Sequence, residues 1–210
     1  MTYYFKSGKT YRVATNEQVD MRETLPAGNY IVQFSDKMGF FLETTDSFNI
    51  PKKLYGKTEA QTERFLKCFE LRNKSTSILL VGEKGCGKTL LAQNISKTSG
   101  FPVLFVNRPF NGDGFNTFLQ QIDQPFVLLF DEFEKVYCDE DDQNGLLTLL
   151  EGVFSTNSIN LFTSNSIYAL NSYMKNRPGR IRYLIEFNGL TSDFVREYCE
   201  DKLKNTKHVD

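Results

Sequence analysis

Across 210 residues, 25 basic and 26 acidic side chains leave a formal net charge of −1, which excludes a global electrostatic footprint for nucleic acid or an anionic membrane. An apolar fraction of 40% is enough for a real core. The longest apolar runs, such as Phe126 to Phe130 and Ile78 to Val81, are too short to span a bilayer, and Met1 to Lys6 lacks a signal-peptide plan. A cytoplasmic chain without membrane insertion is the expectation.

Residues Met1 to Ile50 read as a small β-rich unit. Tyr3-Tyr4-Phe5 and Thr10-Tyr11-Arg12-Val13 flank a turn at Ser7-Gly8-Lys9, and Asn29 to Phe34 and Phe40 to Glu43 flank a second turn at Ser35 to Gly39. Four short strands are few for an independent barrel, so the unit is expected to pack on the core C-terminal to it, as a partner-binding module or as a structural extension. Pro51 to Gly56 marks a boundary. Within it Tyr55-Gly56 is either a base contact, an aromatic beside a glycine, or an ordinary turn. Thr58 to Leu71 then has helical spacing with Thr58 as a possible cap.

Ser77 to Val81 suits a buried parallel strand, and it runs into Gly82-Glu83-Lys84-Gly85-Cys86-Gly87-Lys88-Thr89, with a helical pattern starting at Leu90. This strand, loop and helix context is what a phosphate cradle requires. Glycines let consecutive backbone N–H groups turn inward, and the following helix points its positive end at the same anion. In that role Gly82 to Leu90 bind the nucleotide, Lys88 reaches the β- and γ-phosphates, and the Thr89 hydroxyl binds Mg²⁺. The bland alternative is a chance glycine-rich turn. The four cysteines, Cys68, Cys86, Cys138 and Cys199, fit no zinc or disulfide spacing and read as free thiols. Cys86, inside the nest, is a tolerated loop position or a site where oxidation blocks the nucleotide.

Pro102 to Asn107 reads as the next strand. The loop Arg108 to Phe115 carries Phe110 and Phe115, which either grip a polymeric substrate or fold back into the core. Phe126 to Phe130 is a continuous apolar strand ending in Asp131-Glu132, placing carboxylates at the carboxyl edge of a parallel sheet about forty residues after the cradle. There Asp131 would hold the Mg²⁺ shell and Glu132 would polarise the attacking water as general base. Cys138 to Asp142 is a solvated acidic run with Asp142 capping the next helix, whose packed face is Leu146, Leu147, Leu149, Leu150 and Val153. Ile159 to Asn165 is a further strand. Asn165 at its end either orients water and touches the γ-phosphate or is a turn asparagine. Arg177-Pro178-Gly179-Arg180 reads as a solvated basic turn, open to an anion, before a strand over Ile181 to Phe187. Thr191 opens a last helix. The only histidine, His208, lies in the polar tail, so no histidine triad or metal cluster is expected.

In this order, the motifs resemble the AAA+ ATPases, most closely their AAA branch, over roughly Pro51 to Leu190. Gly82 to Thr89 is similar to Walker A, Phe126 to Glu132 to Walker B, Leu146 to Gly152 to the helix that follows it, Asn165 to sensor 1, and Arg177 to Arg180 to the arginine-finger segment. The resemblance implies an α/β fold: a P-loop parallel sheet of about five strands flanked by helices, preceded by the β-rich unit. It also implies Mg²⁺-dependent ATP hydrolysis that remodels or moves a macromolecule, protein rather than nucleic acid. By the same resemblance Arg177 and Arg180 act in trans within a ring of like subunits, a hexamer as a rule, and Phe110 or Phe115 lies in the pore loop. Only about twenty residues follow the last strand, so the lid is expected to be short or missing, with no sensor 2 arginine. Two other readings are a nucleotide-gated interaction module with little turnover and a nucleic-acid motor or loader of the same superfamily.

Overall fold

The computed structural model describes residues 2–7, 10–15, 20, 22–72, 74–110, 112–150, 156–176 and 180–203. Both hairpins expected near the N-terminus form, but they part company. β1 (Thr2–Ser7) and β2 (Thr10–Thr15) make a two-stranded antiparallel sheet of their own. β3 (Asn29–Ser35) and β4 (Gly39–Thr45) are antiparallel to each other, and β3 also runs parallel to β6 (Val103–Phe105), pairing Asn29 with Val103 and Ile31 with Phe105. This hairpin therefore extends the main sheet. Its apolar face explains why, since Tyr30 and Val32 are buried in the same cluster as Leu104.

The remaining strands are β5 (Thr76–Gly82), β7 (Phe126–Phe130), β8 (Ser158–Ser164) and β9 (Tyr183–Phe187). They complete a sheet of seven strands in the order β4-β3-β6-β7-β8-β5-β9. Apart from β4, all neighbours are parallel. The five strands implied by the resemblance are β5 to β9, and the β3–β4 hairpin brings the count to seven. Parallel strands covered on both faces are apolar in every position, and alternate residues choose the face. On β5, Ile78 and Leu80 pack with Phe65 and Phe69 of α1 (Thr58–Arg72) and with Leu91 and Ile95 of α2 (Lys88–Ser99). Leu79 and Val81 turn to the opposite cluster. That second cluster holds Phe115 and Leu119 of α3 (Asp113–Gln120) and Phe133 of α4 (Phe133–Val136). It also holds Leu146, Leu149 and Leu150 around α6 (Leu147–Leu150) and Met174 of α7 (Ser172–Asn176). Phe130 and Phe162 stack at its centre, ring centroids 4.6 Å apart.

The acidic run forms the start of a short α5 (Glu140–Gly145), and its cap is Asp139, whose carboxylate accepts the Asp142 N–H at 2.9 Å, rather than Asp142 itself. α8 (Ser192–Lys202) is capped by Thr191 as expected. Among the described residues no helix is long and apolar enough to cross a membrane.

Candidate functional site

Because β7, β8 and β5 are adjacent and parallel, the residues just past their carboxyl ends come together: Asp131 after β7, Asn165 after β8, and the loop that begins at Gly82. Ligands of open α/β sheets bind at such an edge. Gly82 has a φ of +152°, Gly85 +83° and Gly87 +92°. A Cβ at Gly82 would lie 2.3 Å from the carbonyl oxygen of Phe187, whereas at Gly85 and Gly87 it would meet nothing within 4 Å. The open side of the loop is thus left for a ligand. α2 starts at Lys88 with Gly87 before it and no side-chain cap on its first N–H groups, the arrangement that suits an anion.

Lys88 is 7% exposed. Its ammonium donates to the carbonyl oxygens of Gly82 (2.6 Å) and Glu83 (2.8 Å) and to Asn165 Oδ1 (3.2 Å), lying folded across the loop. Next to it, the Thr89 hydroxyl donates to Asp131 Oδ1 at 2.9 Å. The same oxygen accepts the Thr163 hydroxyl at 2.7 Å, and Thr163 Oγ1 in turn accepts the backbone N–H of Glu132 at 2.8 Å. Sequence reasoning does not single out Thr163, because a threonine inside a strand carries no motif. Asn165 donates its backbone N–H and its Nδ2 to Glu134 Oε1, at 3.0 and 2.7 Å. Glu134 escapes sequence reasoning too. Its one signal is an acid two residues past Asp131-Glu132, in the first turn of α4.

Glu132 stands apart in its backbone. With φ +49° and ψ +49° it is the one non-glycine residue in the left-handed region among the described residues, a conformation that surrounding structure must hold. Its carboxylate pairs with Lys135. That hydrogen bond and charge hold the Glu132 carboxyl below the usual range, with smaller contributions from Asn165 and Lys84, so it stays ionised at neutral pH. A cleft of about 380 Å³ opens beside the cradle, lined by Gly82, Glu83, Asn165, Tyr168, Phe187 and Asn188.

Other expected site residues are placed elsewhere. Phe115 is fully buried and Phe110 half-buried, with both rings against Phe40 of β4 at 5.5 and 5.2 Å. The Phe110 carbonyl is further tied by the Tyr137 hydroxyl at 2.7 Å. Phe115 is therefore a core residue rather than a substrate-gripping one, and Phe110 folds back against the same core, because the β3–β4 hairpin supplies an aromatic surface for them. Arg180, expected at the surface, is 5% exposed, and its Nη1 donates to the Tyr173 carbonyl at 2.7 Å, a polar partner that makes its burial tolerable. Arg177 lies outside the described residues, as does His208. Tyr55 and Gly56 are joined to α8: the Tyr55 hydroxyl donates to Asp201, its ring meets Phe194 and Tyr198 edge-on, and the Gly56 N–H donates to Glu197 at 3.1 Å. Tyr55 is thus buried against α8, while Gly56 beside it stays exposed. Leu90 and Cys86 are half-buried beside the cradle, and all four cysteines are free thiols.

The sequence pattern of the family described as "ATPase family associated with various cellular activities (AAA)" matches residues 78–188. The chain is 31% identical over 158 residues to the peroxisomal ATPase pex1 of Schizosaccharomyces pombe, an alignment that spans 64% of this chain but 16% of that protein. Among solved structures it is similar to the RuvB Holliday junction branch migration motor of Thermotoga maritima, with a TM-score of 0.53 and 19% identity over 71% of this chain and 52% of that one. A mutant of the same RuvB gives a TM-score of 0.55 at 18% identity, over 72% of this chain and 54% of the other. The chain therefore spans about half the length of these structures and a small part of the pex1 relative.

Proposed function

The chain belongs to the AAA family of ATPases, and from that premise we propose that it hydrolyses Mg²⁺-bound ATP at the Gly82 to Thr89 cradle and uses the energy to remodel or move a macromolecule. The observation that carries this reading is the pair of hydrogen-bonded sets side by side at the sheet edge, in which Lys88 reaches Asn165 while Thr89 and Thr163 converge on Asp131.

The γ-phosphate would displace the carbonyl partners of Lys88. Those bonds, to Gly82 and Glu83, hold the ammonium ready within the cradle, so little reorganisation is needed. The free N–H groups at the start of α2 bind the remaining phosphate oxygens. Thr89 Oγ1 and Asp131 Oδ1 fit Mg²⁺ as hard oxygen donors already in contact with each other. When bound, the ion would neutralise charge on the β- and γ-phosphates. Glu132, ionised and set next to Asp131 by its left-handed backbone, accepts the proton of the attacking water. Lys135 must yield for it to do so. Asn165 orients the terminal phosphate or that water.

The assembly proposed is a ring of like subunits, a hexamer as a rule for such proteins, acting in the cytoplasm with a neighbour's arginine completing each site. With the Arg180 guanidinium buried on the Tyr173 carbonyl, that role falls to Arg177. A protein substrate is favoured over nucleic acid because the chain has a net charge of −1 and so lacks the excess positive charge that neutralises phosphates. The test is steady-state ATPase rate against protein concentration for wild type, Glu132→Gln and Arg177→Ala. Specific activity should rise with concentration, and both variants should bind ATP yet lose turnover, by about a thousandfold for the arginine. A wild type that binds ATP but never turns over would refute hydrolysis and leave a nucleotide-gated switch. A rate independent of concentration would refute the shared site.

A further inference from the structure

The asparagine at the end of β8 is held from two sides, and the chemistry of its holders decides which way its amide faces. On one side Lys88 has only donors, so the atom it meets at 3.2 Å must be the amide oxygen. On the other, Oε1 of Glu134 already accepts a backbone N–H, so the atom 2.7 Å from that oxygen must be the amide nitrogen. The Asn165 backbone N–H, at 3.0 Å, closes a second bond onto the same oxygen. Oε2 of Glu134 is buried as well, so the carboxylate is not turned out to solvent. Without Glu134, and with Lys88 turned to a phosphate, the two ends of the amide could exchange by a half-turn about the terminal side-chain bond, since they differ little in shape. An amide turned that way would present its oxygen, which a phosphate repels.

We propose that Glu134 is a positioning residue for Asn165: it takes one Nδ2 hydrogen and keeps the other for a terminal phosphate oxygen drawn in by Lys88. The proposal rests on the reading of Asn165 as the residue that meets the γ-phosphate. It adds the reason why this strand-end asparagine can tell ATP from ADP. Only ATP offers an oxygen to the oriented N–H, and only with Glu134 in place is that N–H reliably there. The placement depends on α4, a single turn that begins right after the strained Glu132 and so carries Glu134 back toward the end of β8.

The test compares binding of ADP and of a non-hydrolysable ATP analogue, by calorimetry with Mg²⁺, for wild type, Glu134→Met, Glu134→Gln, Asn165→Ala and the Glu134→Met/Asn165→Ala double variant. Met keeps the length without an acceptor, while Gln keeps an acceptor oxygen, and thermal melting checks that each folds. Glu134→Met should lower the preference for the ATP analogue over ADP about tenfold, the worth of one charge-assisted hydrogen bond, with ADP affinity within about twofold of wild type. Asn165→Ala should lower it equally, the double variant no further, and Glu134→Gln should keep most of it. An unchanged preference in Glu134→Met, losses that add in the double variant, or a Gln variant as impaired as Met would each overturn the proposal. Failure of the wild type to hydrolyse ATP counts against the proposed function alone, because the binding ratio is read without turnover.

Discussion

Two glycines of the cradle look equivalent in sequence, yet the structure separates them, and substituting each with alanine measures the difference. At Gly85 the cost of alanine is conformational: φ is +83° and the added Cβ meets nothing within 4 Å. A left-handed non-glycine residue costs about 1–2 kcal/mol. At Gly82 the φ of +152° is joined by a collision, with the Cβ 2.3 Å from the Phe187 carbonyl oxygen and 2.7 Å from the Phe187 Cβ. The carbonyl belongs to the backbone of β9, which is paired to β5 up to Gly82 and Phe187 themselves, so it cannot swing aside as a flexible side chain would. Strain of about 1–3 kcal/mol and overpacking of about 1–3 kcal/mol together predict a loss of roughly 2–6 kcal/mol. With an m-value of about 2–3 kcal/mol per molar urea, the Gly82→Ala midpoint should fall by roughly 0.7–3 M and that of Gly85→Ala by roughly 0.3–1 M. Nucleotide affinity should follow the reverse logic. Gly85→Ala should stay folded but bind ATP poorly, because its Cβ would enter the open side of the loop, where the phosphates are proposed to sit. Equal urea midpoints for the two variants would refute the close-packing account of Gly82.

The remaining predictions concern neighbouring parts of the fold. Lys135→Ala removes the chief cause of the low Glu132 pKa, which should rise toward its ordinary value. A base works only when ionised, so the acid limb of the kcat/KM profile should move to higher pH in the variant, and an unmoved limb would show that Glu132 is not the titrating base. Phe40 touches the rings of Phe34, Phe110, Phe115 and Phe118. Being half-buried, its truncation in Phe40→Ala should cost about 2–3 kcal/mol in urea unfolding with ATP affinity intact. Asp201, pulled down to about 2 by the Tyr55 hydroxyl and then by Lys53, anchors α8. A carboxylate with a depressed pKa contributes stability above its unfolded pKa and loses it as pH falls through the folded value, so hydrogen exchange in residues 192–202 should stay slow at pH 4 and quicken toward pH 2. Asp201→Asn should exchange rapidly at neutral pH.

Much of the site is legible in the sequence because its signals are local. A glycine-rich turn between a strand and a helix, and an apolar run closing on Asp131-Glu132, announce themselves within a dozen residues, and backbone geometry places Lys88, Thr89 and Asp131 once those elements form. The parallel core strands are legible for the same reason: burial on both faces writes continuous apolar runs. Pairing is not. Nothing near Asn29 announces that it will lie beside Val103, and that pairing alone joins the β3–β4 hairpin to the main sheet. It also decides the fate of Phe110 and Phe115, which would read as exposed loop aromatics without Phe40 to receive them. The same holds for Arg180, whose burial depends on a carbonyl in α7, and for Glu134, whose partner Asn165 arrives from another strand. Chain-local chemistry set by residue type and spacing is determined by the sequence alone. Which side chains meet across the sheet depends on strand order and register, and those come from the sum of many weak packing terms that only the assembled core resolves.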